Sequence, residues 1–461
     1  YGGTTSALGF KAEGTNFTGS LLIGHATTGT IDNAFYNTAL GIGALDALTT
    51  GDNNVAIGYN AGTSINSAEM NIVIGSYAGD ALTTGDRNVA IGHNSLSAED
   101  TGHRNVAIGY NTLSVQNSGE YNYNTAIGYA AGANVTSGIQ NTLIGALAGD
   151  SLAGGSQNVA VGMYALSTED THGKNVAVGY SALVVQNAGA DAYNTAVGYN
   201  SGGSVTTGIY NNLIGGNAGD ALTTGTRNVA IGYNALSSED EHGRNIAIGH
   251  NALFAQDAGS DAYNVAVGYD AGVAVTTGLK NNLLGGLAGD ALTTGSNNVA
   301  IGYEALTTED TGSRNIAIGQ SALGSLNYDG NGYNTAVGHN AGVAMTTGVE
   351  NTLIGGLAGD ALTIGKHNVA IGYDSLSSAD AGDFSVAIGH SALREQNGAS
   401  AGDNFYNTAV GYQAGKLVTT GTDNVLMGAF TGDALTTGTY NVAIGRSALS
   451  LEDEHGFNVA V

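Results

Sequence analysis

One short motif recurs along almost the whole chain, and this repetition limits the fold more than any other feature. Residues 228–232 read Asn-Val-Ala-Ile-Gly, and residues 245–249 repeat them as Asn-Ile-Ala-Ile-Gly. Aligned on this motif, 25 units start between Asn37 and Asn458, and most starts are spaced as Asn228 and Asn245 are. Weaker copies begin near Thr5 and Ser20. A unit this short cannot hold a pair of helices, so we expect stacked single coils.

A longer period overlies the short one, because every four successive units form a block, as from Asn228 to Asn298. The second unit of each block is longer than the others, as from Asn245 to Asn264, and it is longest from Ser385 to Asn407. This predicts a longer loop at the same corner of every fourth coil. We find no linker between blocks, so we expect a single continuous domain over residues 1–461, with weak coils in 1–36 and regular coils in 37–461.

The composition of the unit predicts an all-β fold. Val-Ala-Ile-Gly is typical of strands, and Thr-Thr-Gly and Glu-Asp-Glu-His-Gly are typical of turns. We therefore expect a parallel β-solenoid, or β-roll, of about 25 to 27 coils with roughly 17 residues per coil and a four-coil superrepeat of about 70 residues.

Three positions of the motif are predicted to be structural: Asn228, Ile231 and Gly232 in one unit, and Asn245, Ile248 and Gly249 in the next. Stacked Asn side chains can form a hydrogen-bonded ladder along the axis. Aliphatic residues at position 4 are expected to fill the coil, and those at positions 9 to 12 to form a second short strand. Glycine at position 5 allows a positive φ or a close backbone approach.

The third position predicts an interaction surface. Side chains alternate along a strand, so Ala230 and Ala247 should point outward if position 4 points inward. Together with Gly232 and Gly249 they would form a flat apolar strip, which monomers rarely expose at such length. We expect an interface with copies of the chain, and a modestly apolar monomer face is the alternative.

Composition and charge exclude several classes of function. Lys and Arg number 12 against 38 Asp and Glu, and the net charge of −26 disfavours nucleic acid and anionic membranes as partners. The chain has no Cys and, by inspection, no apolar run near twenty residues, so we expect no thiolate metal site and no membrane insertion by this segment. Repeated coils place like residues in rows, whereas catalysis needs unlike groups to converge, so we do not expect an enzyme.

Acidic turns are the candidate metal sites. Glu169 with Asp170, Glu239 with Asp240 and Glu241, and Glu309 with Asp310 recur at one corner. Carboxylates and turn carbonyls are ligands that Ca²⁺ prefers, so calcium is the one cofactor considered, with solvated turns as the alternative. The Thr-Thr-Gly turns suggest ice binding as a further hypothesis, although the first two unit types interrupt the Thr array.

The motif cores NVAIG, NTAVG and NTALG resemble the head repeats of YadA-like trimeric autotransporter adhesins, and similar repeats occur in phage tail fibres. The resemblance runs from about Thr5 to Val461, although the coils here are longer than is typical of that family. It implies a left-handed parallel β-roll that Ile231 and Ile248 fill. It also implies that three chains pack side by side into a rod that adheres to surfaces.

We therefore expect a non-catalytic structural or adhesive fibre rod, extracellular, on a cell surface or a virion. The expected partners are copies of the chain, as a homotrimer or an end-to-end filament, and a surface glycan or protein. A filament subunit that polymerises through the solenoid edges, and a calcium- or ice-binding solenoid, are the alternatives.

Overall fold

The computed structural model describes residues 10–12, 16–24, 31–119, 121–397 and 402–461. The weak copy predicted near Thr5 lies outside these residues. The chain divides into two compact units, Tyr1–Arg227 and Asn228–Val461, and each is a parallel β-solenoid whose successive strands mark successive coils. The predicted all-β solenoid class is confirmed, and the single continuous domain over 1–461 stays a prediction.

In the first unit, all strands are three residues long. They are β1 Phe10–Ala12, β2 Leu21–Ile23, β3 Thr38–Leu40, β4 Val55–Ile57, β5 Ile72–Ile74, β6 Val89–Ile91, β7 Val106–Ile108, β8 Thr125–Ile127, β9 Thr142–Ile144, β10 Val159–Val161, β11 Val176–Val178, β12 Thr195–Val197 and β13 Asn212–Ile214. Strand β1 pairs antiparallel with β2. From β2 to β13 each strand pairs in parallel with the next.

The second unit repeats this arrangement, and its last strand has two residues. Its strands are β14 Val229–Ile231, β15 Ile246–Ile248, β16 Val265–Val267, β17 Asn282–Leu284, β18 Val299–Ile301, β19 Ile316–Ile318, β20 Thr335–Val337, β21 Thr352–Ile354, β22 Val369–Ile371, β23 Val386–Ile388, β24 Thr408–Val410, β25 Val425–Met427, β26 Val442–Ile444 and β27 Val459–Ala460. Neighbouring strands are parallel and in register, so that Ala230 lies beside Ala247 and Ile231 beside Ile248.

Each regular coil contains one strand, and turns form the rest of it. The second strand expected at positions 9 to 12 is absent from the described coils. Leu236, at position 9, lies in a turn with a φ of 53°, which lies in the left-handed region. Its side chain nevertheless points inward as expected and has no exposed surface.

The strand turns its Ala toward the interior, which reverses the predicted orientation. Ala230 and Ala247 have no exposed surface, whereas Ile231 and Ile248 are half-buried on the outer side. The prediction that Ile231 and Ile248 fill the coil is therefore wrong. The turn after the strand brings Leu236 into the interior, so the narrow coil has room only for Ala at position 3.

Leucine and glycine exchange places between positions 3 and 9, which keeps the interior filled. The first two unit types combine Ala at position 3 with Leu at position 9, and the fourth combines Leu283 with Gly289. A Cβ on Gly289 would lie 2.8 Å from Leu283 Cδ2. The third type has Gly272 at position 9, where a Cβ would lie 2.6 Å from Leu283 Cδ1 and 3.1 Å from Leu253 Cδ2. Leucines of both flanking coils fill the third, which explains the four-coil period.

The predicted asparagine ladder is confirmed. The backbone N–H of Asn245 donates to Oδ1 of Asn228 at 3.0 Å, and Nδ2 of Asn228 donates to the carbonyl of His242 at 3.2 Å. Further along, the N–H of Asn298 donates to Oδ1 of Asn281 at 2.9 Å. These buried amides fix the register of successive coils.

Glycine at position 5 is required by close backbone approach, as predicted. Gly232 and Gly249 have φ values of 139° and 140°. A Cβ on Gly232 would lie 2.2 Å from the carbonyl oxygen of Gly249. No other residue fits this conformation at this distance.

Candidate functional site

The outer face of the strands carries aliphatic side chains from positions 2 and 4. In the second unit, Ile246 is 38% exposed and Ile301 is 37% exposed. In-register pairing sets Val229 beside Ile246 and Ile231 beside Ile248. We call this surface, positions 2 and 4 of the strands within one unit, the outer strand face.

The outer strand face is as large as the largest apolar patch of a typical monomer. At about 4.8 Å per strand, β14 to β27 span about 60 Å. A width of roughly 10 Å gives an area on the order of 600 Å². The predicted apolar strip is present but consists of other residues. Ala230 and Ala247 lie inside the coil, so assigning them to an interface is wrong. Gly232 and Gly249 are half-buried and stay predicted interface residues.

Exposed aromatic side chains form a second row at position 6. The rings of Tyr233, His250 and Tyr269 stack with centroids 5.5 and 5.4 Å apart. Both faces of the His250 ring are therefore covered by its neighbours. Stacking on a sugar requires an open ring face, so the interior of this row presents only ring edges to a ligand.

A cation from the preceding coil closes the longer loop of the second unit type. The Arg244 guanidinium lies 5.3 Å from the centroid of the Tyr263 ring, donates to the Tyr263 hydroxyl at 2.6 Å, and pairs with Asp261. Lys174 makes the corresponding contacts with Asp191 and Tyr193. Arg244 and Lys174, two of the few basic residues, therefore attach the longer loop of a second-type coil to the preceding coil.

The acidic turns place a glutamate inside the coil at position 12, and this turn has two versions. In the first, glycine stands at position 15. Oε1 of Glu309 accepts a hydrogen bond from the N–H of Gly312 at 2.7 Å, and Oε2 accepts one from the N–H of Tyr328 at 3.3 Å. Glu99 is held similarly, with Asn122 Nδ2 as its second donor at 2.9 Å. Burial raises the pKa of both carboxyl groups, while these hydrogen bonds partly offset the rise.

In the second version, histidine stands at position 15 and the carboxylate is less well satisfied. The N–H of His242 donates to Glu239 Oε1 at 3.1 Å, and His242 Nδ1 lies 3.7 Å from the same oxygen. Glu239 Oε2 and His242 Nδ1 are both buried and have no hydrogen-bond partner among the described residues. In a second copy the N–H of His172 donates to Glu169 Oε1 at 3.3 Å, and Glu169 Oε2 has no hydrogen-bond partner of normal geometry among those residues, although the nearby Ala188 amide lowers the pKa of this carboxyl. In a third copy Glu452 is only half-buried, and the exposed His455 has its Nδ1 2.8 Å from Glu452 Oε1.

The electrostatic surroundings of Glu239 are unfavourable for a carboxylate. Burial, followed by smaller effects of Asp257 and Asp240, raises the pKa of Glu239 to about 7, although the His242 amide and imidazole lower it. A fully buried carboxylate with an unpaired oxygen is expensive unless a cation or a proton joins it. Burying Glu239 as a carboxylate in this turn is therefore costly.

The structure brings together part of the predicted acidic residues. Groups whose ligand atoms lie within 4.8 Å of one another are Glu169, Asp170 and His172; Glu239, Asp240 and His242; and Glu452, Asp453 and His455. Glu241 is exposed and belongs to none of these groups. Glu309 and Asp310 also belong to none, since their turn has glycine in place of histidine. Only the fold shows that His172 and His242 lie beside the buried Glu169 and Glu239, and His455 beside the half-buried Glu452.

Comparison with known proteins does not assign a family. No protein-family model matches this chain, and no curated protein matches it either. Across the part of the chain that the structure describes, we find no helix with the length and apolar character of a membrane span.

Proposed function

We propose that this chain is a non-catalytic rod segment of an extracellular adhesive fibre, and that copies of it associate side by side through the outer strand face. The observation that carries the proposal is the apolar side chain at position 4 of every coil of the second unit, from Ile231 to Val461, beside a position 2 that is aliphatic in most of these coils. The resemblance of its motifs to adhesin head repeats supports the same role.

The occupant of the outer strand face is a copy of the same chain. A flat β-surface with one small set of residues at every coil matches another surface of equal period. A stable interface buries about 800 Å² per partner, and the outer strand face of one unit approaches this value with its flanking residues included. The charge of −26 disfavours contact through the acidic faces, so an apolar face is the suitable contact.

The test compares two sets of outward substitutions in the full chain. Ile246→Glu with Ile301→Glu places charge on the outer strand face, where both side chains are more than a third exposed, and circular dichroism checks that the variant folds. Thr277→Glu with Thr294→Glu places the same charge on exposed turns at another corner.

Light scattering gives the mass of each protein. We expect an oligomer for the wild type and the Thr variant, and a folded monomer for the Ile variant, because unpaired charge in a dry interface is costly. A monomeric wild type, or an Ile variant that keeps the oligomer mass, would refute lateral association. Fibres that persist in the Ile variant would instead support end-to-end assembly.

A further inference from the structure

The two versions of the acidic turn differ in how they treat the buried glutamate. With glycine at position 15, the backbone donates to the carboxylate at 2.7 Å, as at Gly312 and Glu309. A Cβ on Gly312 would lie 2.4 Å from the Glu309 carboxyl carbon. A side chain at this position therefore forces the carboxylate away from its donors.

The histidine version shows this displacement. The N–H to Oε1 distances lengthen to 3.1 Å at Glu239 and 3.3 Å at Glu169, and the Oε2 atoms of both lose their partners among the described residues. In the histidine version the buried glutamate therefore has weaker hydrogen bonds than in the glycine version, but an imidazole lies beside it. Both glutamates have no exposed surface, so bulk solvent does not reach their carboxylates.

We propose that the histidine turns with a fully buried glutamate bind a divalent transition metal ion of the Zn²⁺ class, with Glu239, Asp240 and His242 as ligands in one of these two turns and Glu169, Asp170 and His172 in the other. The independent observation is that Oε2 of each of these glutamates is fully buried and has no hydrogen-bond partner among the described residues.

The donor set selects the ion. One imidazole nitrogen and two carboxylates suit Zn²⁺ and its neighbours, whereas Ca²⁺ takes six to eight oxygen ligands. Four-coordinate Zn²⁺ with bonds of about 2.0–2.1 Å needs ligand atoms roughly 3.4 Å apart. The 3.7 Å between His242 Nδ1 and Glu239 Oε1 is close to this value, and the three ligand atoms lie within 4.8 Å. Three protein ligands leave one position for water.

Charge around the site favours a cation. Asp240 and Asp257 both act on Glu239 through their negative charge. The neighbouring cation, Arg244, is engaged by Asp261 and Tyr263 of the next coil. A divalent ion would offset these like charges at a carboxylate whose Oε2 has no hydrogen-bond partner among the described residues.

The chain supplies its own matched variant. His172→Gly with His242→Gly converts both turns into the version seen at Gly312, which keeps the backbone donor to the glutamate. His250→Tyr is the control, because it removes a histidine from the position 6 row, where other coils carry Tyr. All three proteins are used as full chains after removal of metals.

Calorimetric titration with Zn²⁺ measures the binding. We expect the wild type and the His250 variant to bind two Zn²⁺ more than the double glycine variant, which keeps only the His455 turn, with Ca²⁺ unable to displace these two ions. Equal Zn²⁺ stoichiometry in the wild type and the double variant would overturn the proposal. Displacement of the bound Zn²⁺ by Ca²⁺ would also overturn it and favour an all-oxygen site.

Cobalt substitution gives a readout that does not depend on a variant. Co²⁺ in a low-coordinate site with nitrogen and oxygen ligands absorbs visible light much more strongly than aqueous Co²⁺. We expect such bands in the wild type, and their loss on adding Zn²⁺. A spectrum no stronger than that of aqueous Co²⁺ would refute the site even if the double variant failed to fold.

Discussion

The exchange of leucine and glycine between positions 3 and 9 predicts a strong energetic coupling inside one coil. Leu283→Ala removes a fully buried side chain, and we expect a loss of about 3 kcal/mol of local stability. Gly289→Leu alone forces a Cβ to 2.8 Å from both Leu283 Cδ2 and Leu292 Cδ1. Overpacking costs about 1–3 kcal/mol, and the left-handed φ of 56° adds about 1–2 kcal/mol for a residue with a side chain.

Together the two changes rebuild an interior that the chain already uses. The coil that starts at Asn315 combines Ala317, Leu323 and Leu326, all fully buried. The double variant should therefore be more stable than the sum of the single changes by at least about 2 kcal/mol. The coupling stays below complete rescue, because Leu283 also fills the space at Gly272.

Hydrogen exchange of strands β16 to β18 measures the local free energy of opening in each variant, and the double-mutant cycle gives the coupling. The control pairs Leu283→Ala with Gly359→Leu in another coil of the fourth type, four coils or about 19 Å away, where we expect additivity. Additive effects for Leu283 and Gly289 as well would refute the packing explanation of the four-coil period.

Three other predictions test the hydrogen bonds, the glycines and the buried charges. Asn281→Ala should lower the free energy of unfolding by about 2–4 kcal/mol, because it leaves the Gly295 carbonyl and the Asn298 N–H unpaired. Asn281→Ser should lower it less, as measured by calorimetric melting. Equal losses in the two variants would contradict the asparagine ladder. Gly249→Ala should lower the free energy of unfolding by at least about 3 kcal/mol, because its Cβ would lie 2.1 Å from a carbonyl oxygen. Gly259→Ala is the control: its Cβ would have nothing within 4 Å, so the loss measured by urea denaturation should be about 1 kcal/mol. Similar losses in the two variants would argue against close backbone approach at Gly249. Burial raises the pKa of Glu309 above its ordinary 4.5, so the folded state holds this proton more tightly; stability from this group should be present at low pH and be lost as the pH rises through the raised pKa, and the melting temperature of Glu309→Gln should depend less on pH between about pH 5 and 8 than that of the wild type.

The period of the sequence was sufficient to predict the coils. The Asn and Gly positions were predicted correctly because each depends on the backbone of the neighbouring coil, which the Asn amide hydrogen-bonds and which approaches the Gly closely. The orientation of the strand was predicted wrongly, because the larger residue of the Ala230 and Ile231 pair was assumed to be inside. The correct signal is present in the sequence: where position 9 of a fourth-type coil is Gly, position 3 is larger than Ala, as in Leu283 with Gly289 and Val73 with Gly79. Only residues that share one interior need to compensate in this way.

The acidic turns show a different limit. Sequence proximity made Glu239, Asp240 and Glu241 look equivalent, and it ranked Glu309 with them. Their difference depends on the turn geometry, which buries Glu239 and leaves Glu241 exposed. The choice between His242 and Gly312 at position 15 then decides whether the backbone satisfies the carboxylate.

The interlocking of Leu253, Gly272 and Leu283 also restricts how a gene for such a chain can change in length. Loss of residues 281–350, one whole block, would join Lys280 to Asn351 and again set a third-type coil beside a fourth-type coil. Loss of residues 281–297 alone would bring Ala300 to the place of Leu283 and leave a void at Gly272. Unequal recombination would therefore be tolerated in steps of four coils, and the length of the solenoid would vary by about 19 Å at a time.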